Sequence, residues 1–348
     1  MSTSTMQAIR IKSLGQAALG TAPIPQLRDD YILVKTKAVA INPADWKSID
    51  YIATPGETVG CDYSGVVVQV GALLQDHFRP GDRVAGLVHG CNASNHADGA
   101  FAEFVIAKGD LQMKIPHDMS FETAATLGAG ITTVGQNLYQ SLALPLPQSE
   151  ASDNYVLIYG GSTATGSLAI QFAKLSGLQV VTTCSPSHGE WLRKLGADHV
   201  FNYKSPTCAA DIQSITGNKL AYVFDTTGTM ATAQICSDAI GHEGGIYTSL
   251  EPVAELPRSD VVNKNTMVFS AIGENFQIGG IDVPANALDH DFAVKFAKIA
   301  GELLMQGKLV AHPVSHQKGG LEKVLEGVDM MRRGSVSGVK LVYTISDS

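Results

Sequence analysis

The feature that most constrains the fold of this chain is a series of short apolar segments that alternate with helical segments between residues 155 and 250. Runs rich in β-branched and aromatic residues predict five strands, at YVLIY, LQVVTT, HVFNY, LAYVFDT and GGIYTSL. Apolar residues at helical spacing predict helices between them, which end near residues 177, 196, 215 and 240. This alternation gives a parallel sheet with right-handed crossovers, so the expected fold class is α/β.

The segments on either side of this series follow another pattern. YILVKTKAVAIN, YSGVVVQVG and GDRVAGLV are short strands separated by glycine-containing turns, which predicts a barrel-like, β-rich unit. Residues 251–290 are expected to form a loop with an irregular strand pair, followed by a helix near 291–307. The last strand, SGVKLVYTI, could return to the first domain. We therefore expect a β-rich domain at 1–128, completed by 308–348, and a nucleotide-binding domain at 129–307.

Composition and charge exclude several classes of partner. The formal charge is −8 over 348 residues with no basic block, so nucleic acid and anionic membranes are poor partners. The N-terminus lacks the apolar core of a signal peptide, and polar residues interrupt the uncharged stretch between Glu122 and Glu150, which argues against a membrane span. Five scattered cysteines suit a reducing compartment. The expected location is the cytoplasm.

The turn GGSTATG at residues 160–166 joins the first strand of the series to its helix. Helix N-termini present free N–H groups that bind phosphate, and the hydroxyls of Ser162, Thr163 and Thr165, which flank Ala164, could donate to phosphate oxygens. Gly166 would keep the helix close to the strand. Tight strand-to-helix turns need glycine in any case, but this turn lies where a dinucleotide site is expected, in a Rossmann domain.

The residues at the end of the second strand of the series, LQVVTT, indicate whether the cofactor is NAD or NADPH. An acid there would bind the ribose hydroxyls of NAD, whereas VVTTCSPSH has no acid before Glu190. Ser185, Ser187 and His188, which flank Pro186, could donate to a 2′-phosphate, so NADPH is favoured. In the absence of the usual arginine, Tyr203 and His188 would frame the adenine and the phosphate; alternatively, Tyr203 is an ordinary half-buried residue at a strand end.

AVAINPADWK, GCDYSGVVVQVG, GDRV and GAFAEFV resemble markers of the zinc-independent, quinone-oxidoreductase-like branch of the medium-chain dehydrogenase/reductase superfamily. VLIYGGSTATG, TTCSPSH and SGVKLV resemble, more narrowly, the fungal trans-acting enoyl reductases of polyketide biosynthesis, of the lovastatin type. The resemblance covers nearly the whole chain. It implies a GroES-like β-rich domain beside a Rossmann domain, an NADPH cofactor, and a role in secondary metabolism.

The resemblance also implies the chemistry. Zinc members of the superfamily bind a metal through Cys, His and Cys, and here Asn42 and Pro43, Cys61 and Gly130 lie near those positions, so no metal is expected. Reduction of a C=C bond conjugated to a carbonyl does not need that metal. The expected substrate is an enoyl thioester carried by the acyl carrier protein of a polyketide synthase, and the hydride from NADPH would add to its β-carbon.

The resemblance assigns further residues to the site. Lys47 and Thr133 are the candidate catalytic residues; the alternatives are a solvated lysine and a helix N-cap within a helical segment that runs from 121 toward 144. The other candidates touch the cofactor or line the acyl path. The cofactor residues are Ala44, Asp45, Trp46, Lys47, Leu250, Glu251, Gly338 and Val339, and the substrate residues are Thr133, Val134, Gln136, Asn137, Tyr139 and Gln140.

Two other functions stay open at this point. One is an NADPH-dependent quinone or free-enone oxidoreductase of the same fold, with which AINPADWK is equally compatible. The other is an NADPH-binding protein without catalysis. A monomer is the favoured oligomeric state, although a dimer is possible through an exposed edge of the Rossmann sheet near NTMVFSAIG.

Overall fold

The computed structural model describes residues 4–346, and contacts between residues divide the chain into two units. One unit combines the residues up to 132 with those from 269 onward, and the other holds residues 133–268. The first unit begins with β1 Thr5–Ser13, β2 Gln16–Pro23, β3 Tyr31–Ala40, α1 Pro43–Tyr51, β4 Asp62–Val70, β5 Arg83–Leu87, β6 Phe104–Lys108, β7 Met113–Lys114 and α2 Phe121–Ala124, and α3 Gly128–Gly135 spans the boundary.

The second unit contains the predicted alternation. Its elements are β8 Tyr155–Tyr159, α4 Ala164–Leu175, β9 Gln179–Cys184, α5 Gly189–Lys194, β10 His199–Asn202, α6 Cys208–Ile215, β11 Tyr222–Asp225, α7 Met230–Ala239, β12 Gly245–Ser249 and β13 Val261–Asn265. These six strands form one parallel sheet in the order β10-β9-β8-β11-β12-β13. This order, in which the chain turns back beside its first strand, is that of the Rossmann fold, and the prediction is confirmed.

The chain then returns to the first unit through β14 Phe276–Ile278, β15 Ile281–Val283, α8 Ala287–Met305, β16 Val314–Gln317, α9 Gly320–Arg332 and β17 Lys340–Thr344. The predicted return of the last strand is confirmed, because β17 pairs antiparallel with β3, with Val342 opposite Ala40. The sheet runs in the order β16-β17-β3-β4-β5-β7, and β6 also pairs with β3.

Apolar side chains on the faces of these sheets form a large buried cluster in each unit. In the first unit Ile32, Val34 and Tyr63 from the sheet pack with Val324 and Val328 of α9. In the second unit the buried cluster combines sheet residues such as Leu157, Val223 and Tyr247 with Cys236 of α7. Continuous burial of short strands on both faces is typical of a parallel sheet covered by helices.

The segment between the two units differs from the expectation in two respects. Residues 269–307 group with the first unit, because the Phe269 ring stacks on His89 with 3.8 Å between ring centroids and Tyr31 donates to Glu274 at 2.6 Å. The edge strand of the parallel sheet is β13, and residues 268–272 form a 3-10 helix. The edge strand therefore lies just before NTMVFSAIG and shares only Asn265 with it. An interface formed by this edge would involve residues earlier in the chain than expected.

The helical segment that starts at residue 121 is broken rather than continuous. It consists of α2, then α3, then a π-helix over Gln136–Ser141. The wider π-turn changes the direction of the side chains that follow α3. Among residues 4–346, none of the helices has both the length and the apolar character needed to cross a bilayer.

Candidate functional site

The loop after β8 leaves backbone donors open at the start of α4. This helix has 12 residues and begins at Ala164, with Thr163 as its N-cap. The first N–H groups of a helix have no partner inside the helix, and those of Ala164 and Thr165 make no hydrogen bond to any other described residue. The peptide dipoles add partial positive charge at this end. These donors suit the phosphate groups of a dinucleotide.

Two glycines, Gly160 and Gly166, allow the loop after β8 to lie close to the start of α4. Gly160 has φ +79°, a backbone conformation that L side chains rarely adopt. A Cβ atom on Gly166 would lie 2.3 Å from the carbonyl oxygen of Gly160. The prediction that Gly166 keeps the helix close to the strand is therefore confirmed, since a side chain at this position would displace one from the other.

The three hydroxyls of the loop have different roles. Thr163 Oγ1 accepts from the Gly166 N–H at 2.9 Å and donates to Thr226 Oγ1 at 3.0 Å, so it is used within the protein. The hydroxyls of Ser162 and Thr165, both on half-buried side chains, make no hydrogen bond to other described residues. Ser162 and Thr165 can therefore donate to a phosphate, while Thr163 shapes the helix start.

Threonines of the neighbouring strands hold this loop at one edge of the sheet. Thr183 at the end of β9 accepts from the N–H of Gly160 through its hydroxyl, at 3.0 Å, and from the N–H of Gly161 through its carbonyl, at 2.9 Å. Thr226, directly after β11, donates to the carbonyl of Tyr159 at 2.8 Å. The carboxyl ends of β8, β9 and β11 thus meet, as they do where open parallel sheets bind ligands.

The turn after β9 leads away from this edge and carries the residues expected to select NADPH. Ser185 and His188 are half-buried, Ser187 is exposed, and a 3-10 helix runs over Pro186–His188. The next acid, Glu190, pairs with Lys194 at 2.8 Å on the exposed face of α5. The turn itself therefore presents hydroxyl, imidazole and backbone donors without a carboxylate.

Two further residues lie beyond this turn. Tyr203 is 37% exposed and directly follows β10, so part of its ring is accessible to a ligand. A guanidinium nitrogen of Arg193 lies 3.4 Å from the position that a Cβ atom on Gly189 would take, at the first residue of α5. Sequence reasoning missed this cation because Arg193 is on a helix, one turn after the segment that follows the strand.

The end of β12 belongs to the same edge. Leu250 donates its N–H to the carbonyl of Asp225, the last residue of β11, at 3.1 Å. A Cβ atom on Gly228, whose φ is +69°, would lie 2.8 Å from the backbone nitrogen of Glu251. The structure therefore brings Leu250 and Glu251 against the turn after β11.

Thr133 lies near the end of α3 and not at the start of a helix. The alternative of a helix N-cap is therefore wrong. Its carbonyl accepts from Asn137 Nδ2 at 2.8 Å, and its half-buried hydroxyl makes no hydrogen bond to other described residues. The neighbouring Thr132 hydroxyl, in contrast, donates to the carbonyl of Gly128 at 3.1 Å. Thr133 thus keeps a hydroxyl that can donate to a ligand.

The residues after Thr133 are the predicted lining of an acyl path, and the hydrogen bonds of two of them lie within the second unit. The amide of Asn137, which is 0% exposed, donates to Thr266 Oγ1 at 3.2 Å and accepts from Thr248 Oγ1 at 2.7 Å. The hydroxyl of Tyr139 lies 2.9 Å from Ser176 Oγ, at the end of α4. The side chains that take part in the core are Val134, Gln136, Asn137 and Tyr139. Gln140 stays half-buried.

In the first unit, the candidate cofactor residues that follow β3 form the first turns of α1. Asn42 precedes the helix, and its N–H donates to Asp45 Oδ2 at 2.6 Å. Burial raises the pKa of Asp45 to about 7. Ala44 is exposed, and Trp46 and Lys47 are half-buried, with the Lys47 ammonium 5.8 Å from the centroid of the Trp46 ring. Lys47 is therefore held beside an aromatic face.

Gly338 and Val339 immediately precede β17 and are both half-buried. The next residue, Lys340, is buried, and its ammonium donates to Asp62 Oδ2 at 2.5 Å and to Asn42 Oδ1 at 2.9 Å. Sequence reasoning missed this lysine, although a lone cation in an apolar strand signals a buried partner. It ties the last strand to the beginning of α1.

The residues around Asp62 do not fit a zinc ion. Zinc sites need three or four converging nitrogen, sulfur or carboxylate donors. Here the oxygens of Asn42 and Asp62 both bind the ammonium of Lys340, and burial, with Asp45 and Asp62 nearby, raises the pKa of Cys61 well above its usual value. Residues 4–346 contain no group of three or more potential zinc ligands.

Comparison with known proteins identifies the family. Residues 28–117 match the alcohol dehydrogenase GroES-like domain, and residues 164–276 match the zinc-binding dehydrogenase family. A trans-enoyl reductase of Alternaria alternata is 47% identical over 345 residues, which are 98% of this chain and 99% of that protein. One of Aspergillus sclerotiorum is 44% identical over 98% of this chain and 100% of its own. This chain belongs to the trans-enoyl reductase family.

Solved structures agree with this trans-enoyl reductase in fold. The CurK enoyl reductase superposes with a TM-score of 0.75 at 18% identity, covering 98% of this chain and 99% of that one. The quinone oxidoreductase from Coxiella burnetii gives a TM-score of 0.71 at 23% identity, covering 99% and 100%. The chain is thus an oxidoreductase of the medium-chain dehydrogenase/reductase superfamily, a family that uses a nicotinamide cofactor.

Proposed function

We propose that this protein reduces the C=C bond of α,β-unsaturated acyl thioesters on a polyketide synthase, acting in trans, with NADPH as the reductant and without zinc. The observation that carries the proposal is the 47% identity to a trans-enoyl reductase over 99% of that protein's length. A relative that matches from end to end includes both the cofactor loop and the return strand. The fold alone would not distinguish this substrate from a quinone.

The residues at the edge of the parallel sheet fit a dinucleotide. The N–H groups of Ala164 and Thr165 and the hydroxyl of Ser162 would bind the pyrophosphate. Ser185 and His188 would donate to the 2′-phosphate of NADPH, and Arg193 beside Gly189 supplies a positive charge for it. This donor set, with no carboxylate between the end of β9 and Glu190, is why NADPH is favoured over NADH.

The bound nicotinamide would supply a hydride to the β-carbon of the enoyl thioester, and NADPH would become NADP⁺. The electron pair of the C=C bond then moves onto the thioester oxygen as an enolate, which must be stabilised by donors or positive charge. Thr133 can donate a hydrogen bond from its hydroxyl, and Lys47 can supply positive charge. A proton must then reach the α-carbon, and we assign this proton to solvent.

The proposed partner is the acyl carrier protein that holds the enoyl chain, within a synthase encoded as a separate polypeptide. Support comes from several relatives, which are trans-enoyl reductases of fungi including Alternaria alternata and Aspergillus niger. We propose that the protein acts as a monomer, which the resemblance to trans-acting enoyl reductases favours. We also propose that it acts in the cytoplasm, in agreement with its five free cysteines.

The function is tested by comparing substrates under one set of conditions. Purified protein is mixed with NADPH and, in separate reactions, with crotonyl-pantetheine, a benzoquinone and a simple ketone, while NADPH absorbance is followed. We expect the enoyl thioester to be reduced at least 10-fold faster than the others at equal concentration. Fast quinone reduction without thioester turnover would replace the proposal by a quinone reductase, and tight NADPH binding without any turnover would indicate a binding protein.

A further inference from the structure

Asp62, the first residue of β4, holds the beginnings of two helices. Its side chain is 0% exposed. Oδ2 accepts from Nδ2 of Asn42, the residue before α1, at 2.9 Å, and Oδ1 accepts from the N–H of Ala129, in the first turn of α3, at 2.6 Å. α1 carries Lys47 and α3 carries Thr133. One buried carboxylate is therefore bound to the N-terminal ends of both helices with candidate catalytic side chains.

The charge of this carboxylate is balanced by a single cation. Lys340, whose side chain is 4% exposed, donates to Asp62 Oδ2 at 2.5 Å, to Asn42 Oδ1 at 2.9 Å and to the carbonyl of Thr126 at 3.4 Å. An ammonium group has three protons to donate, and here three acceptors surround it. The pair is thus hydrogen-bonded on both sides, and it connects the last strand of the chain to α1 and to the segment before α3.

A buried ion pair of this kind contributes little net stability, because the cost of removing two charges from water offsets their attraction. Its geometric effect is larger, since the carboxylate fixes the distance and direction of two separate helix starts. A displacement of about 1 Å at a reacting group can lower a rate by about 100-fold. A pair that costs much to bury and stabilises little is explained better by positioning than by stability.

We propose that the Lys340–Asp62 pair is a positioning device that sets the placement of Lys47 and Thr133 for enoyl reduction. The inference rests on the proposed function. The carboxylate accepts from Asn42 and Ala129, and the ammonium of Lys340 binds the same carboxylate from the last strand. Both residues act through the helices and touch no reacting atom.

The test separates placement from stability with three variants and a control. K340M leaves the carboxylate of Asp62 buried without its cation and is expected to lose the most stability, because a lone buried charge is costly. D62N leaves Lys340 buried without its anion. The double variant D62N/K340M removes both charges, and K323M removes an exposed lysine paired with Glu326 on α9.

We expect the double variant to regain most of the Tm that K340M loses, while its kcat for crotonyl-pantetheine stays at least 10-fold below that of the wild type. The reason is that an amide at position 62 accepts through only one of its terminal atoms, so the two bonds that the carboxylate accepts from Asn42 and Ala129 cannot both persist in their present form. The KM for NADPH should change less than 3-fold. K323M should match the wild type in Tm and kcat. Recovery of kcat together with Tm in the double variant would overturn the proposal.

A second measurement does not depend on activity. Trp46 lies on α1, and the chain has one other tryptophan, Trp191, so a W191F background leaves Trp46 as the only tryptophan reporter. In that background D62N/K340M should raise the acrylamide quenching of Trp46 at a temperature where the protein is folded, because α1 has lost its anchor. Unchanged quenching would overturn the positioning role. An absence of enoyl turnover in the wild type would instead refute the proposed function.

Discussion

Replacement of Gly166 by alanine should impair cofactor binding more than it impairs folding. A Cβ atom at this position would lie 2.3 Å from the Gly160 carbonyl oxygen and 2.9 Å from Thr163 Oγ1, whereas ordinary contact begins at 3.4 Å. To relieve the clash, the first turn of α4 must retreat from β8 by about 1 Å. Forced overpacking of this size costs about 1–3 kcal/mol.

The retreat moves the N–H groups of Ala164 and Thr165, which are the proposed phosphate donors. Loss of about two hydrogen bonds to a charged group, at about 1.5 kcal/mol each, corresponds to roughly a 100-fold rise in the Kd for NADPH. The assay is a titration of NADPH fluorescence at a temperature below the Tm of the variant. The Tm itself, followed by circular dichroism, should fall by several degrees.

The matched control is G301A, within α8. A Cβ atom on Gly301 would lie 3.8 Å from Met113 Cγ, which is ordinary contact, and alanine is favoured over glycine in a helix by about 1 kcal/mol. This variant should bind NADPH like the wild type and unfold at the same or a higher temperature. The reasoning would be refuted if G166A bound NADPH within 3-fold of the wild type, because the close approach would then not serve the cofactor.

Three further predictions concern single side chains. R193Q should raise the KM for NADPH about 10-fold with little effect on the KM for NADH. K194Q, which removes the exposed partner of Glu190, should change neither KM. Equal KM values for the two variants would contradict a role of Arg193 in the 2′-phosphate site. T133V should lower kcat by about 100-fold, because its lost hydroxyl is the proposed donor to the enolate oxygen. T132V should keep kcat within 3-fold of the wild type, because the Thr132 hydroxyl donates to Gly128 in the same helix. The same loss of kcat in both variants would indicate damage to α3. Burial raises the pKa of Asp45 from 3.8 to about 7, so the folded protein retains a proton that the unfolded chain releases. The free energy of unfolding should therefore decline as the pH rises from 4 through 7. D45N should flatten this decline when unfolding is measured in urea, and parallel curves of unfolding free energy against pH for the two proteins would show that Asp45 does not cause it.

Much of the fold could be predicted from the sequence because the second unit has short, strongly apolar strands at regular spacing. The run YVLIY is buried on both faces as β8, and the helix expected after it begins at Ala164. The alternation also identified the edge of the sheet on which the glycine loop lies. Local pattern and global fold agree there, since successive strands from β8 to β12 are connected by one α-helix each.

The sequence could not predict the contacts that join distant segments. Lys340 and Asp62 are separated by 278 positions, and no local pattern shows that their strands meet near Asn42. The grouping of residues 269–307 with the first unit depends in the same way on Phe269 and His89. Burial lowers the pKa of His89 to about 3, as expected for a ring enclosed by aromatic side chains.

Polar side chains in the π-helix can be interpreted in two ways from the sequence. Asn137 and Tyr139 carry polar groups that could contact a substrate, and both closely follow the candidate catalytic residue Thr133 in the sequence. In the structure, Thr248 and Ser176 lie within hydrogen-bonding distance of Asn137 and Tyr139 inside the second unit. A sequence pattern does not distinguish a polar group that faces a ligand from one that is bound within the core.

The central claim is most directly tested by the fate of the hydride. NADPH that carries deuterium at the transferred position of C4 is incubated with crotonyl-pantetheine and this protein, and the product is analysed by mass spectrometry and NMR. The prediction is one deuterium on the β-carbon of butyryl-pantetheine and a solvent-derived proton on the α-carbon. Product without deuterium at the β-carbon, or NADPH oxidation without any butyryl product, would contradict it.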